Sequence, residues 1–246
     1  MRTDSVRLFQ TLPQACGYWS GRTAVNLVLD PAHPALDALY AQALAHGFRR
    51  AGSHVYRPRC PRCNACVACR IALARFRPDR SQRRCLVRNA GVELLDAEPG
   101  FTPERWALYQ RYQKLRHPGG GMDEGTAEDF REFLSAGWSR TRLLELREGG
   151  RLLAVAATDL AGEALSAVYT WYDPDCAQRG LGTLAILRQI GYGRALGLNY
   201  LYLGYWIARH PRMDYKCRFR PEVLDGGNWM PLAETEKRPA AGTQPR

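Results

Sequence analysis

Four cysteines, each three residues after the last, lie inside an arginine-rich stretch and are the side chains best suited to chemistry. They are Cys60, Cys63, Cys66 and Cys69. Thiolates bind zinc or an iron–sulfur cluster. Cys16, in the string ACGYW, could supply a first ligand. The spacing therefore predicts a soft-metal site, with reduced structural thiols as the alternative.

A cluster of arginines follows the cysteines. It consists of Arg77, Arg80, Arg83 and Arg84. Guanidinium groups grip a carboxylate through two parallel hydrogen bonds, or they follow a phosphate backbone. The cluster thus predicts a surface that binds anions, and a solvated basic face is the alternative.

The string QRGLGT, from Gln178 to Thr183, places two glycines before a stretch with helical periodicity. Such a loop exposes backbone N–H groups at the start of a helix, where they can hold an anion. The alternative is a structural turn. The residues predicted to bind are Gln178, Arg179, Gly180, Gly182 and Thr183.

Asp159 ends the apolar string LLAVAATD, which reads as a buried central strand. A partly desolvated carboxylate at such a strand end is a stronger base than one in water. We therefore predict Asp159 as a general base or an amine anchor, and the alternative is an aspartate that only forms a turn.

The elements that must position these residues change character halfway along the chain. An amphipathic helix at 34–48 precedes the cysteines, and residues 90–100 read as a boundary. Thr102 and Pro103 cap and open a helix, and a second short helix starts near Thr126. The later predictions are strands at 142–147, 151–159 and 165–172, a helix at 183–196 and a strand at 200–204.

Antiparallel strands, a glycine-rich loop, a helix and a strand form an order similar to the core of the acetyltransferase superfamily. We therefore predict an α/β (α+β) fold with an acetyltransferase-like domain (GNAT, acyl-CoA N-acyltransferase) at residues 96–235. Residues 1–95 would form a Cys- and Arg-rich N-terminal domain. Residues 236–246 would form a disordered tail.

The charge balance narrows the class of partner. The sequence has 35 Lys and Arg against 24 Asp and Glu, a formal charge of +11, which favours nucleic acid first and an anionic membrane second. No apolar run approaches the roughly 20 residues that span a bilayer. The N-terminus does not read as a signal peptide, so we expect a cytoplasmic protein with reduced cysteines. Common hydrolase and NTPase motifs are absent from the sequence.

A resemblance runs through many ordered strings, over about residues 10–230. The first half contains GFRRAGSHVYRPRCPRCNACVACRI and FRPDRSQRR, and the second contains RHPGGGM, TDL, LSAVYTWYDPD, RGLGT, LGLNYLYLGYW, MDYKCRFRP and GNW. Together they resemble the arginyl-tRNA–protein transferase family, in its bacterial branch.

The resemblance implies an enzyme that moves an amino acid from an aminoacyl-tRNA to a protein N-terminus that begins with Asp or Glu. The bacterial branch uses leucine and marks the acceptor for degradation by the N-degron route. The fold would be acetyltransferase-like, with aminoacyl-tRNA in place of acyl-CoA. Transfer would need no cofactor, although an iron–sulfur cluster or zinc could bind.

Roles for the candidate residues follow from this resemblance. The arginine cluster would hold the acidic side chain of the acceptor, and the QRGLGT loop would hold the aminoacyl end of the tRNA. Asp159 would take the proton, with Tyr169 and Tyr205 as relays. Ala68 and Cys69 depart from the expected pattern, which leaves Cys16, Cys60, Cys63 and Cys66 as the metal ligands.

Three alternatives stay open at this point. Arginine could replace leucine as the donated residue, because no residue dictates leucine physically. The fold also suits an acyl-CoA-dependent N-acetyltransferase, since fold does not fix function. The third is a metal-stabilised regulator that binds nucleic acid without catalysis.

Overall fold

The computed structural model describes residues 6–116, 125–134 and 136–235. The tail predicted at 236–246 and the HPGGGM part of RHPGGGM lie outside these ranges. None of the described helices is long and apolar enough to cross a membrane. The first elements are β1 Leu8–Gln10, β2 Gln14–Ala15, β3 Thr23–Ala24, β4 Asn26–Leu29, α1 Leu36–Ala45, β5 Arg49–Ala51, β6 His54–Pro58, β7 Val67–Ala72, α2 Arg80–Arg88 and β8 Glu93–Ala97.

The second half contains the longer strands and helices. Two short 3-10 helices, Pro174–Arg179 and Asp214–Phe219, connect them. The remaining elements are α3 Pro103–Arg116, α4 Ala127–Leu134, β9 Arg140–Glu148, β10 Arg151–Ala161, β11 Ala164–Tyr172, α5 Leu181–Ala195, β12 Tyr200–Trp206, β13 Glu222–Asp225, β14 Asn228–Pro231 and α6 Leu232–Thr235.

An eight-stranded sheet in the order β14-β13-β7-β12-β11-β10-β9-β8 forms the centre of the molecule. Among these described strands, β11 and β12 pair in parallel and the other neighbours pair antiparallel. The order of three antiparallel strands, loop, helix and strand predicted from the sequence is confirmed as β9, β10, β11, α5 and β12.

Helices cover both faces of β10, which explains its apolar run. Ala156 packs in one cluster with Leu184 of α5. Val155, one residue earlier and therefore on the opposite face, packs in another with Tyr109 of α3 and Phe130 of α4. The central strand is thus buried on both sides, as the sequence predicted.

A separate Cys- and Arg-rich N-terminal domain is not confirmed. Strand β7 precedes residue 96 and β8 crosses it, yet both belong to the eight-stranded sheet. The reason is visible in β7, where Cys69 and Ile71 are fully buried in the main core. Strands from both sides of the boundary predicted near residue 95 therefore share one sheet.

A second sheet, in the order β1-β4-β6-β5, lies beside the first. Helix α1 fills the space between them, and its Tyr40 and Leu44 pack with Ala161 of β10 and Tyr202 of β12. The small sheet therefore brings its edge strand β5 close to β11 and β12.

Candidate active site between diverging strands

Strands β11 and β12 pair over only three residues. Ala164, Leu165 and Ser166 lie opposite residues 200–202, and the pairing stops there. Both strands continue, to Tyr172 and to Trp206. The facing backbone edges beyond Ser166 are therefore open to other groups, and we call this region the gap.

Arg49 of β5 lies against both edges of the gap. Its Nη2 donates to the carbonyl of Val168 on β11 at 3.4 Å, and its guanidinium carbon lies 5.8 Å from the centre of the Tyr205 ring on β12. Gly204 makes this approach possible, because a Cβ at that position would lie 3.2 Å from Nη1 of Arg49.

Lys216, from the 3-10 helix Asp214–Phe219, approaches the same part of β12. Its Nζ donates to the Tyr205 carbonyl at 2.6 Å, and the residue is 5% exposed. Burial lowers the pKa of Lys216 to about 8; the Cys69 thiol opposes this shift and the Arg49 charge adds to it. Neither Arg49 nor Lys216 has an ion pair with a carboxylate among the described residues.

Asp159 holds β5 in place, and this corrects the role that the sequence predicted for it. Its carboxylate accepts from Nε and Nη2 of Arg50 at 2.7 and 2.8 Å, from Thr141 Oγ1 at 2.7 Å and from Tyr40 Oη at 3.1 Å. The residue is 0% exposed. A carboxylate with four donors and no exposed surface cannot reach an acceptor amine, so Asp159 is an anchor rather than a base.

Consecutive strand residues point to opposite faces, so this anchor also orients the gap. Arg50 turns inward to Asp159, and Arg49 therefore turns toward Val168 and Tyr205. The ion pair between Arg50 and Asp159 thus fixes the direction of its neighbour.

The two predicted proton relays have different environments. Tyr205 is 2% exposed, and its hydroxyl donates toward the carbonyls of Gly47 and Tyr56, at 3.0 and 3.2 Å. Its proton is therefore committed to the protein, and burial raises its pKa. Tyr169 is half-buried on β11, and its hydroxyl accepts from Gln113 Nε2 at 3.0 Å. Burial raises the pKa of Tyr169 to about 12.

The QRGLGT loop reaches the gap from the far end of β11. Gly180 has φ +70°, which favours glycine, and α5 begins at the next residue. A Cβ on Gly182 would lie 3.3 Å from the ring of Tyr172, the last residue of β11. The first-turn N–H groups of a helix have no acceptor within it, so α5 offers donors here. Arg179 is not free to bind, because it pairs with Glu148 at 2.7 Å.

The arginine cluster lies outside the gap. Arg80, Arg83 and Arg84 belong to α2, and all three are exposed, as is Arg77 before the helix. Asp79 caps α2 by accepting from the backbone N–H of Gln82. Because α2 packs against α5, its exposed face lies beside the QRGLGT loop rather than with Arg49 and Lys216.

Four thiols line one small cavity in the N-terminal part, together with Trp19 and Arg22. Burial first, then the neighbouring thiols, raise the pKa of Cys66 to about 12. Among the described residues, no group of three or more Cys, His, Asp or Glu is arranged to hold a metal ion. The thiols have the chemistry for a soft metal but not, in this conformation, the spacing. They are Cys16, Cys60, Cys63 and Cys66.

Sequence reasoning did not single out Arg49 or Lys216. Both stand in strings that carried the resemblance, GFRRAG and MDYKC, but nothing local separates Arg49 from Arg50. The strand pleat and the distant Asp159 make that distinction.

The chain is similar to known proteins over most of its length. Family models described as "Arginine-tRNA-protein transferase, N terminus" and "C terminus" match residues 14–84 and 104–225. Proteins named aspartate/glutamate leucyltransferase match from Stenotrophomonas maltophilia (strain K279a), at 53% identity, and Xanthomonas euvesicatoria pv. vesicatoria, at 56%. Each alignment covers 93% of this chain and 94% of the relative.

A solved structure also resembles this fold. The C-terminal domain of a putative lysylphosphatidylglycerol synthetase from Agrobacterium fabrum aligns with a TM-score of 0.50 and 13% identity. The alignment covers 75% of this chain and 62% of that one. At this identity the likeness concerns the fold alone.

Proposed function

The chain belongs to the arginine-tRNA-protein transferase family, and we propose that it transfers leucine from leucyl-tRNA to the α-amine of proteins that begin with Asp or Glu. The observation that carries the proposal is the identity of 53–56% with aspartate/glutamate leucyltransferases over 93% of the chain. The enzyme would work in the cytoplasm, where charged tRNA is available, and its product would enter the N-degron route.

The reaction depends more on holding the acceptor amine against the ester than on activating either group. The acceptor amine attacks the ester carbonyl, a C–N bond forms, the ester C–O bond breaks, and the 3′-terminal ribose of the tRNA leaves as a hydroxyl. The amine loses a proton and the ribose oxygen gains one. An α-amine has a pKa of about 7.7–8.0, so an appreciable fraction is already neutral. Holding amine and ester together supplies up to roughly 7–11 kcal/mol.

The gap and the QRGLGT loop are the parts that support this juxtaposition. In an acetyltransferase-like arrangement, aminoacyl-tRNA would take the place of acyl-CoA at the N-terminus of α5. The ester would then lie at the end of β11, near Tyr172. Tyr169 remains the candidate for handling the proton, because its hydroxyl does not donate to a buried carbonyl as that of Tyr205 does.

Gly182 tests the donor site. Gly182→Val adds bulk within 3.3 Å of the Tyr172 ring and should raise the KM for leucyl-tRNA by about tenfold or more, since a backbone approach is blocked. Gly191→Val lies on the same helix with no atom within 4 Å of its Cβ, and it is the matched control. Equal kinetics in the two variants would remove the loop from the donor site.

Helix α2 suits the tRNA backbone better than it suits the acceptor. Arg80, Arg83, Arg84 and Arg88 lie on its exposed face, at the spacing that places side chains together. None of the four has an ion pair within the described ranges. Exposed, unpaired guanidiniums favour phosphates. We therefore propose these arginines as phosphate contacts rather than as the acceptor site.

The thiol cavity carries a separate proposal. A small rearrangement would let Cys16, Cys60, Cys63 and Cys66 hold zinc or an iron–sulfur cluster, which would stabilise the N-terminal part without entering the reaction. Anaerobic purification with metal analysis and a visible spectrum tests this. Metal-free protein with full activity and unchanged stability would leave the thiols structural.

A transfer assay tests the function itself. Leucyl-tRNA and arginyl-tRNA are each offered with peptides that begin with Asp, Glu, Ala or Lys. We expect leucine on Asp and Glu peptides only. Arginine transfer is the second candidate, because the family models are named for arginine. Acetyl-CoA serves as a third donor, and its use would point to an N-acetyltransferase instead.

A further inference from the structure

We propose that Arg49 and Lys216 together bind the side-chain carboxylate of the acceptor's N-terminal residue. The inference rests on the proposed function and assigns its acceptor specificity to the gap. Both cations approach the same stretch of β12, since a Gly204 Cβ would lie 3.2 Å from Nη1 of Arg49 and Nζ of Lys216 lies 2.6 Å from the Tyr205 carbonyl.

Arg49 and Lys216 lack a countercharge among the described residues. Both buried arginines of the described residues face a carboxylate: Arg50 pairs with Asp159, and Arg105 pairs with Glu145. Arg49 and Lys216 instead donate to backbone carbonyls, at 3.4 and 2.6 Å. A desolvated charge without a partner is costly, so two of them at the same stretch of β12 favour an anion.

The shapes of the two cationic groups favour a carboxylate as the anion. Arg49 offers a planar fork and Lys216 a single point charge, a combination that suits one carboxylate held between them. The tyrosine rings beside Arg49 add apolar walls, with its guanidinium carbon 6.0 Å from the centre of Tyr56 and 5.8 Å from that of Tyr205. An Asp or Glu side chain fits such a site, whereas Asn and Gln lack the charge.

The position of Arg49 beside β11 also favours the acceptor. Arg49 donates to the carbonyl of Val168, which directly precedes Tyr169. The other end of β11, at Tyr172, lies against Gly182 of the QRGLGT loop. An acceptor anchored by its carboxylate would thus lie along the same strand edge as the incoming ester. A terminal phosphate of the tRNA is the competing anion, and the kinetics below separate the two.

The test measures acceptor and donor KM in Lys216→Met and Arg49→Gln, with peptides that differ only in Asp or Asn at the first position. Removing a charged hydrogen bond should raise the KM for the Asp peptide by about 10- to 100-fold. The donor KM should change by less than about twofold, and preference for Asp over Asn should fall. Arg49→Lys keeps the charge, so it should raise the KM for the Asp peptide less than Arg49→Gln does.

Binding of the Asp peptide without tRNA, measured by calorimetry, gives a readout independent of turnover. Arg140→Gln, at an exposed position on β9, is the control and should leave that binding unchanged. An unchanged acceptor KM in folded variants, or a donor KM that rises as much, overturns the proposal. If Lys216→Met fails to fold by circular dichroism, Arg49→Gln at its half-buried position decides. Wild-type protein that binds Asp peptides but transfers nothing would contradict the proposed function alone.

Discussion

The cations on α2 and the cations in the gap both lack carboxylate partners within the described residues, but they differ in burial. On α2, Arg80, Arg83 and Arg84 extend into solvent. In the gap, Lys216 is 5% exposed and Arg49 is half-buried. An exposed row suits an extended polyanion whose binding is sensitive to salt, whereas a desolvated pair suits one compact anion. Burial, more than charge, therefore separates a proposed tRNA surface from a proposed carboxylate site.

The largest expected effect on the cations of the gap comes from removing Asp159, which holds β5 in place through Arg50. Asp159→Asn leaves the Arg50 guanidinium buried without a countercharge, and losing one partner of such a pair costs about 3–5 kcal/mol. Urea unfolding should show that loss in the free energy of unfolding. Glu128→Gln removes the exposed partner of Arg131 and should change stability by less than about 1 kcal/mol.

The outcome for Asp159→Asn also decides its role. Normal stability together with a loss of turnover of about 100-fold or more would restore Asp159 as a general base. A large loss in the free energy of unfolding, with near-normal turnover under conditions where the variant is still folded, would confirm Asp159 as a structural anchor of β5.

Changes to the exposed arginines of α2 should alter the KM for the donor, leucyl-tRNA. Arg80→Gln, Arg83→Gln and Arg84→Gln combined should raise the KM for leucyl-tRNA and lower its salt dependence by about one unit of log–log slope for each lost phosphate contact. The helix should not weaken, because like charges four residues apart, as in Arg80 and Arg84, are mildly destabilising. Kinetics of the triple variant at several salt concentrations check this. A rise confined to the acceptor KM would return these arginines to the acceptor site.

The smallest expected effect is a gain in stability. Lys216→Met removes a buried ammonium while keeping its apolar stem, so the melting temperature at pH 7 should rise, by about 2–4 °C for each kcal/mol of added stability. The same change to an exposed arginine of α2 should have little effect. An unchanged or lower melting temperature would mean that Lys216 carries no desolvation penalty.

The pH dependence sharpens that test. Burial lowers the folded-state pKa of Lys216 from 10.5 to about 8, and the charge of Arg49 lowers it further. The thiols of Cys69 and Cys66 also face Lys216, and both raise its pKa. Between about pH 8 and 10.5 the Lys216 side chain binds more protons in the unfolded chain than in the folded one. The contribution of Lys216 to the free energy of unfolding therefore increases as the pH rises from about 8 to 10.5. The Lys216→Met variant should lack that increase in thermal scans.

The sequence predicted the parts of the fold that depend on local pattern. Strands β9, β10 and β11 and helix α5 were found within a few residues, because alternation, glycine turns and helical periodicity are local signals. The placement of β7 in the main sheet was not predicted, since its neighbours β12 and β13 lie more than a hundred residues away.

The same limit applies to the site. Asp159 lies inside β10, two residues before its end, but the sequence placed it at the end of the strand, where an aspartate resembles a base. Its partner Arg50 is 109 residues distant, so the ion pair leaves no local signal. Arg49 and Arg50 are identical neighbours whose roles differ only through the strand pleat. The exposed cluster on α2 was conspicuous in the sequence, but the sequence does not reveal which basic residues become desolvated.

One measurement tests the division between the two cation groups in the wild-type protein. The KM values for leucyl-tRNA and for an Asp peptide are determined between 50 and 200 mM salt. Four phosphate contacts, one for each arginine proposed on α2, give a log–log slope of about 2.8–3.6, so the donor KM should rise roughly 50- to 150-fold. The acceptor KM should rise less than about threefold, because a buried pair is screened weakly. Equal slopes for the two substrates would contradict the account.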